Sequence, residues 1–280
     1  MITVNKTHAA PSFGKLAGIT DSHGNLIELT PAGEIIRNEI IATPSHHPEI
    51  RILCYAVMPD HFHALLFVTK PIERSLGAIV QAIKSAATRK IRALYSLPSV
   101  DIFEQGFHDR IISNRGQLAT VVDYIRDNPR RLAIRRAHPE FFRRVNNLQI
   151  GDSTYQAYGN FQLLDCPFKE QVIIHRADTP EQYERNRQRW LYTAANRGVL
   201  VSPFISAAEK SIRTEAEALG SRFILITNEP MGERYKPTAH DFSLCQSGRL
   251  LLVSSPSSPS LSRAQCLALN ALASSIAHSH

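Results

Sequence analysis

The spacing of hydrophobic and polar positions along this chain changes several times, and each change marks an element. Ile2-Thr3-Val4 is a short β-prone run, and Gly24 to Leu29 reads as a strand after a turn. Thr30-Pro31 then opens a helix, with Thr30 as N-cap and Pro31 at the first helical position. Its apolar residues Ile35, Ile36, Ile40 and Ile41 recur at helical spacing. Two apolar runs, Ile52 to Val57 and Phe62 to Val68, flank Met58-Pro59-Asp60 as strand, turn and strand. Pro71 to Tyr95 predicts a long helix with Leu76, Ile79, Ile83 and Ala87 on one face. Asn114 to Arg126 predicts another, ending near Asn128-Pro129 because proline disfavours helix at the residue before it.

From Asn146 to Cys166 the glycines and polar residues read as a passage between domains, giving an expected division of 1–150 and 151–280. Beyond it strands and helices alternate. Strands are expected at Gln171 to Ile174, Val199 to Val201, Phe223 to Thr227 and Leu250 to Val253. Helices are expected at Pro180 to Asn196, Ala207 to Leu219 and Ala264 to Ile276, the last after a serine/proline loop from Ser254 to Ser262. This order implies a parallel sheet covered by helices.

Composition narrows the setting. No run of eighteen or more apolar residues appears, so no membrane span is expected, and the N-terminal segment lacks the apolar block of a secretory signal. Four widely separated cysteines argue for a reducing cytoplasm over a disulfide framework or a zinc ribbon. The net charge of +7 is unevenly placed: residues 1–150 hold 19 Lys+Arg against 13 Asp+Glu, whereas residues 151–280 hold 13 against 12. Arg126, Arg130, Arg131, Arg135, Arg136, Arg143 and Arg144 concentrate the excess, opposed locally by Asp127 and Glu140. Such a cluster suits a polyphosphate partner or, equally, a solvated helix face.

Strand alternation puts His61 and His63 on one face, where two imidazoles can grip a divalent ion. A His-x-His pair by itself is also compatible with structural histidines. Its surroundings say more. The run Tyr55-Ala56-Val57-Met58-Pro59-Asp60-His61-Phe62-His63-Ala64-Leu65-Leu66 resembles the strand-turn-strand motif of the REP-associated single-tyrosine transposases, in the HUH superfamily of single-strand DNA nucleases. That family usually writes "VMPNH-x-H", so Asp60 stands where Asn is common. Phe107 to Ile112 resembles the segment before the family's catalytic helix, and Asp123-Tyr124-Ile125-Arg126-Asp127-Asn128-Pro129-Arg130-Arg131 resembles the helix itself.

The resemblance covers about residues 1–150 and implies a ferredoxin-like α+β nuclease domain with an antiparallel sheet. It implies Tyr124 as nucleophile, His61, His63 and Asn128 as ligands of Mg²⁺ or Mn²⁺, and single-stranded or hairpin DNA as partner. Asn128 lies four residues after Tyr124, hence on the same helical face. A phenol titrating ordinarily near ~10 needs the ion, a base or nearby cations to attack a phosphodiester. Lys84, Arg89, Lys90, Arg110, Arg126, Arg130 and Arg131 are candidates for the DNA backbone. Members that transpose are often dimers, which leaves a homodimer open here. Two other readings stand beside this one: a DNA-binding module without chemistry, and a zinc hydrolase using His61, His63 and His108.

In the second half, "GVLVSPFISAAEKSI", "RFILITNE", "KPTAHDFSLCQSGRLLLVSS" and "RAQCLALNALA" are similar to Rossmann-like domains of the DNA-processing protein A and nucleotide-sensor group. That resemblance implies a ligand crevice, of nucleotide type, lined by Ser202, Ser206, Glu209 and Lys210. A serine-rich helix cap with an exposed ion pair explains the same residues.

Overall fold

Thr30 and Pro31 behave as their chemistry dictates: the Thr30 hydroxyl accepts the Gly33 amide at 3.3 Å and a helix runs from Pro31. The computed structural model describes residues 1–17, 26–232, 235–255 and 262–279. Gly24 and Asn25, expected to start a strand, lie outside the described residues, as do residues 256–261 of the serine/proline loop. Two compact units divide the chain, Met1–Ile134 and Arg135–His280. The division falls before the expected 150/151 because residues 143–150 pair into the second unit's sheet.

The first unit runs β1 (Ile2–Asn5), β2 (Gly14–Leu16), β3 (Ile27–Leu29), α1 (Pro31–His46), β4 (Ile50–Val57), β5 (His61–Val68), α2 (Leu76–Tyr95), β6 (His108–Asp109) and α3 (Arg115–Ala137). β2 and β3 form a separate two-stranded ribbon. Without it the order is βαββαβ, and the sheet order β4-β5-β1-β6 with every pair antiparallel is the ferredoxin-like arrangement. Strand alternation sorts the two faces. Ile2, Val4, Phe62 and Ala64 pack with Ile36 and Ile40 of α1 and Val80, Ile83, Ala87 and Ile91 of α2. Leu65 lies on the opposite face, against Val121 and Ile125 of α3, with Cys54 and Ala56 alongside.

Contrary to expectation, α3 does not end near Asn128 but continues through Pro129 to Ala137. Proline costs one backbone hydrogen bond there. Burial continues past it at Arg131 and Ala133, so packing outweighs the local preference.

The second unit contains β7 (Arg143–Ile150), β8 (Ser153–Gly159), β9 (Lys169–Gln171), α4 (Pro180–Ala195), β10 (Val199–Ser202), α5 (Ala207–Ala218), β11 (Arg222–Thr227), α6 (Ala239–Gln246), β12 (Leu250–Ser254) and α7 (Arg263–His278). The expected interdomain passage is in fact a β-hairpin, β7 and β8, turning at Gly151 with φ +57°. Its polar first strand sits at the sheet edge, where burial does not demand an apolar run. β9, β10, β11 and β12 are parallel and adjacent in chain order. Leu200, Phe223, Leu225, Leu250 and Leu252 face Trp190, Ile212 and Leu244 of α4, α5 and α6, whereas Val199, Val201, Ile224, Ile226, Leu251 and Val253 face α7. The helix–sheet–helix layering expected of the second half is present. Among its four parallel strands the order never reverses, so the crevice that a reversal opens at strand carboxyl ends is not part of this arrangement. No helix among the described residues is long and apolar enough to cross a membrane.

Gly159 ends β8 at φ +128°, and an added Cβ would lie 2.3 Å from the Leu250 carbonyl oxygen. Gly159→Ala should therefore destabilise the second unit by at least ~2 kcal/mol, combining overpacking with backbone strain. Urea unfolding followed by the fluorescence of Trp190, the chain's one tryptophan, should show a lower midpoint.

Candidate active site

β5 carries His61 and His63 on the face covered by α3, because Phe62 and Ala64 point into the α1/α2 core. The two rings meet edge to face, with Nε2 of one 3.0 Å from Nε2 of the other. Each Nδ1 has its own partner. Asp60 Oδ1 lies 2.7 Å from His61 Nδ1, and Thr3 Oγ1 lies 2.8 Å from His63 Nδ1. The latter contact is set by register: Thr3 of β1 stands opposite His63 of β5. His63 is buried at 2% exposure, while the Asp60 side chain remains largely in solvent.

α3 supplies the other wall. The Tyr124 ring stands edge-on to His63 with centroids 5.8 Å apart, and the Arg131 guanidinium carbon lies 5.6 Å from the Tyr124 centroid. Arg131 is buried at 7% exposure, and Asn128, between them on the helix, at 4%. Asn128 Nδ2 has no hydrogen-bond partner among the described residues. A buried amide left in that state costs ~1–3 kcal/mol, a cost that a ligand at this position would offset.

These residues fit a divalent cation in chemistry. Two imidazole nitrogens converge, both rings are held from behind, and the Asn128 amide, whose oxygen would face a cation once the amide is turned, shares a helix face with Tyr124. No cluster of three or more His, Cys, Asp or Glu capable of holding a metal occurs among the described residues. His108 does not join the pair to make a three-histidine zinc site: it lies on β6, and Thr3 of β1 stands between it and His63.

The expected cations separate. Lys84 is buried, and its ammonium donates to the carbonyls of Glu104 at 2.7 Å and Gly106 at 2.9 Å. Burial holds it below the usual lysine range. These bonds tie α2 to the segment at 104–106. Arg89 is exposed on α2 and Lys90 pairs with Glu39 at 2.5 Å; their helix covers the sheet face opposite to the histidines. Arg110 is exposed, with its backbone amide and carbonyl bound to Met1. Arg126 is exposed on α3 beside Cys54, and Arg130 pairs with Asp127 at 2.5 Å. Only the α3 arginines share a helix with Tyr124.

In the second unit, Ser202 is fully buried and its Oγ accepts the Phe204 amide, holding Phe204 in the left-handed region at φ 46°. Ser206 and Glu209 form a capping box at the start of α5, and the other Glu209 oxygen accepts the Ile174 amide. These bonds account for Ser202, Ser206 and Glu209 without a ligand. Lys210 alone of the four lines a groove of about 650 Å³, together with Arg213, His240 and Arg249.

Thr3 was invisible to sequence reasoning, since only strand register brings it to His63. Asp60 was visible as a departure from the family's turn, but its bond to His61 is a property of the folded turn. Lys84→Met should lower stability by ~1–3 kcal/mol as two carbonyls lose their donor. Urea unfolding followed by far-ultraviolet circular dichroism checks this, whereas a role in DNA contact would leave the midpoint unchanged.

No curated protein matches the chain. A solved structure described as a REP-associated tyrosine transposase bound to a REP hairpin is similar over 47% of this chain and 66% of that one, at 21% identity and a TM-score of 0.34. Residues 33–128, which contain His61, His63, Tyr124 and Asn128, match the model of the family described as "Transposase IS200 like".

Proposed function

We propose that the first unit nicks and rejoins single-stranded DNA at a hairpin or palindrome, with Tyr124 as nucleophile. The observation that carries this reading is the position of the Tyr124 ring, between the His61/His63 pair and the buried Arg131. The match of residues 33–128 to the IS200-like transposase family supports the same chemistry.

In this reading the Tyr124 oxygen attacks the scissile phosphorus while the bond to the 3′ oxygen breaks. The products are a 5′-phosphotyrosine and a 3′-hydroxyl, which takes up a proton. Because one phosphodiester replaces another, the reverse attack by a 3′-hydroxyl rejoins strands without a nucleotide cofactor. Arg131 provides fixed positive charge beside the phenol, where charge develops as its proton leaves. His61 and His63 would hold a divalent ion, Mg²⁺ or Mn²⁺, with the Asn128 amide as third ligand. When bound, such an ion supplies charge against the phosphate oxygens and orients the scissile group. As placed, the Asn128 nitrogen, without a partner among the described residues, suits a phosphate oxygen; with the amide turned the other way its oxygen suits the cation. The exposed Arg126 and Arg130 on the same helix suit the DNA backbone beyond the site.

Labelled hairpin oligonucleotides incubated with the full chain and Mn²⁺ should yield a covalent adduct that survives denaturation. Tyr124→Phe should abolish the adduct while retaining salt-sensitive DNA binding. An undiminished adduct in that variant would remove Tyr124 from the role. Binding with no adduct in any metal would favour a module that has lost its chemistry.

A further inference from the structure

We propose that Asp60 and Thr3 are positioning residues that fix the two imidazoles by their Nδ1 atoms and so present both Nε2 atoms to one cation. This inference rests on the reading of His61 and His63 as metal ligands and adds to it the groups that set their orientation. Three contacts in series carry it: Asp60 to His61 at 2.7 Å, His61 to His63 at 3.0 Å, and His63 to Thr3 at 2.8 Å.

For two neutral rings, the form in which each can ligate a cation, the chemistry of each group places the protons. An ionised carboxylate only accepts, so the proton between Asp60 and His61 sits on His61 Nδ1. With both rings neutral, His61 Nε2 is then a bare lone pair. The bond between the rings must be donated by His63 Nε2, and His63 Nδ1 must accept from the Thr3 hydroxyl. One ring is therefore already in the form a cation needs. The other reaches that form by moving its proton from Nε2 to Nδ1, and Thr3 permits the change because a hydroxyl accepts as readily as it donates. A carboxylate at one ring and a hydroxyl at the other thus do different jobs. Asp60 locks a tautomer and makes His61 more electron-rich, whereas Thr3 holds His63 in place in either tautomer.

Both partners come from positions fixed by the fold. Asp60 is in the turn immediately before β5, and Thr3 is the residue of β1 in register with His63. Asp60 projects largely into solvent, so its removal leaves no hole in the core. Its contribution should appear in metal affinity rather than in folding.

The test measures Mn²⁺ binding to the metal-free full chain from the electron paramagnetic resonance signal of free Mn²⁺. Asp60→Ala and Thr3→Val should each weaken binding about 10- to 100-fold, the usual effect of losing a group that orients a metal-bound histidine. Asp60→Asn and Thr3→Ser, which keep an oxygen at the same place, should restore most of the affinity. Imidazole ¹⁵N spectra of the metal-free chain should show His61 as the Nδ1–H tautomer, and Asp60→Ala should mix its tautomers. That readout does not depend on metal and would not respond to a merely structural carboxylate. Mn²⁺ bound alike by parent and variants, with His61 unchanged in Asp60→Ala, would overturn the positioning role alone. A parent chain that binds no Mn²⁺ would overturn the metal reading and this inference together.

Discussion

The register between β1 and β5 is the constraint on which the candidate site depends. Thr3 opposite His63 and Val4 opposite Phe62 are two consequences of one pairing. In the first, a hydroxyl meets an imidazole on the α3 face; in the second, two apolar side chains enter the α1/α2 core. A slip by one residue would reverse both, putting Thr3 among Ile36, Ile40 and Val80 and sending Val4 toward the histidines. The burial of Ile2, Val4, Phe62 and Ala64 therefore enforces a polar geometry on the far side of the sheet. The hydrophobic effect has no direction of its own, but strand alternation gives it one.

The two faces of that sheet also tolerate different things. The α1/α2 face is apolar, and a Cβ on Gly33 would lie only 1.8 Å from the Phe13 carbonyl oxygen, so α1 sits too close for any side chain there. The α3 face has a small apolar cluster around Leu65, Val121 and Ile125, and beside it buries His63, Asn128 and Arg131. Burying such groups costs free energy unless partners are supplied. Phe62 and its neighbours supply the stability that lets the α3 face carry them. An under-satisfied amide at Asn128 is tolerable in a domain whose other face is packed, and it is useful where a ligand completes it.

Much of this was legible in the residues, and the exceptions have identifiable causes. The period of two in His61-Phe62-His63 was enough to place both imidazoles on one face, and Thr30-Pro31 was enough to start α1. The buried strands Val199–Ser202, Arg222–Thr227 and Leu250–Ser254 read as apolar runs because both of their faces are covered. What failed was wherever tertiary contact outweighs local preference. Pro129 signals a helix end, yet the helix continues and Arg131 and Ala133 beyond it are still buried. Asn146 and Asn147 read as the start of a passage between domains, yet at the sheet edge they belong to a strand. Thr3 carries no local sign of its role, since its partner is sixty residues away.

The second unit shows why polar residues at a strand-to-helix turn are weak indicators of a ligand. The turn after β10 has to satisfy amide groups of its own. Ser202 serves Phe204, Ser206 serves Glu209, and Glu209 serves both Ser206 and Ile174 with separate oxygens. A carboxylate only 4% exposed with both oxygens already accepting has little left to offer a ligand, and taking it away would strand two amide groups. The serine, serine, acid spacing that suggests a phosphate cradle in the sequence is also the spacing that a capping box requires. Between the two, hydrogen-bond accounting decides, and here it assigns these three side chains to the backbone. Lys210 escapes that accounting because its ammonium is not needed to close the turn, which leaves it to solvent and to the groove between α5 and α6.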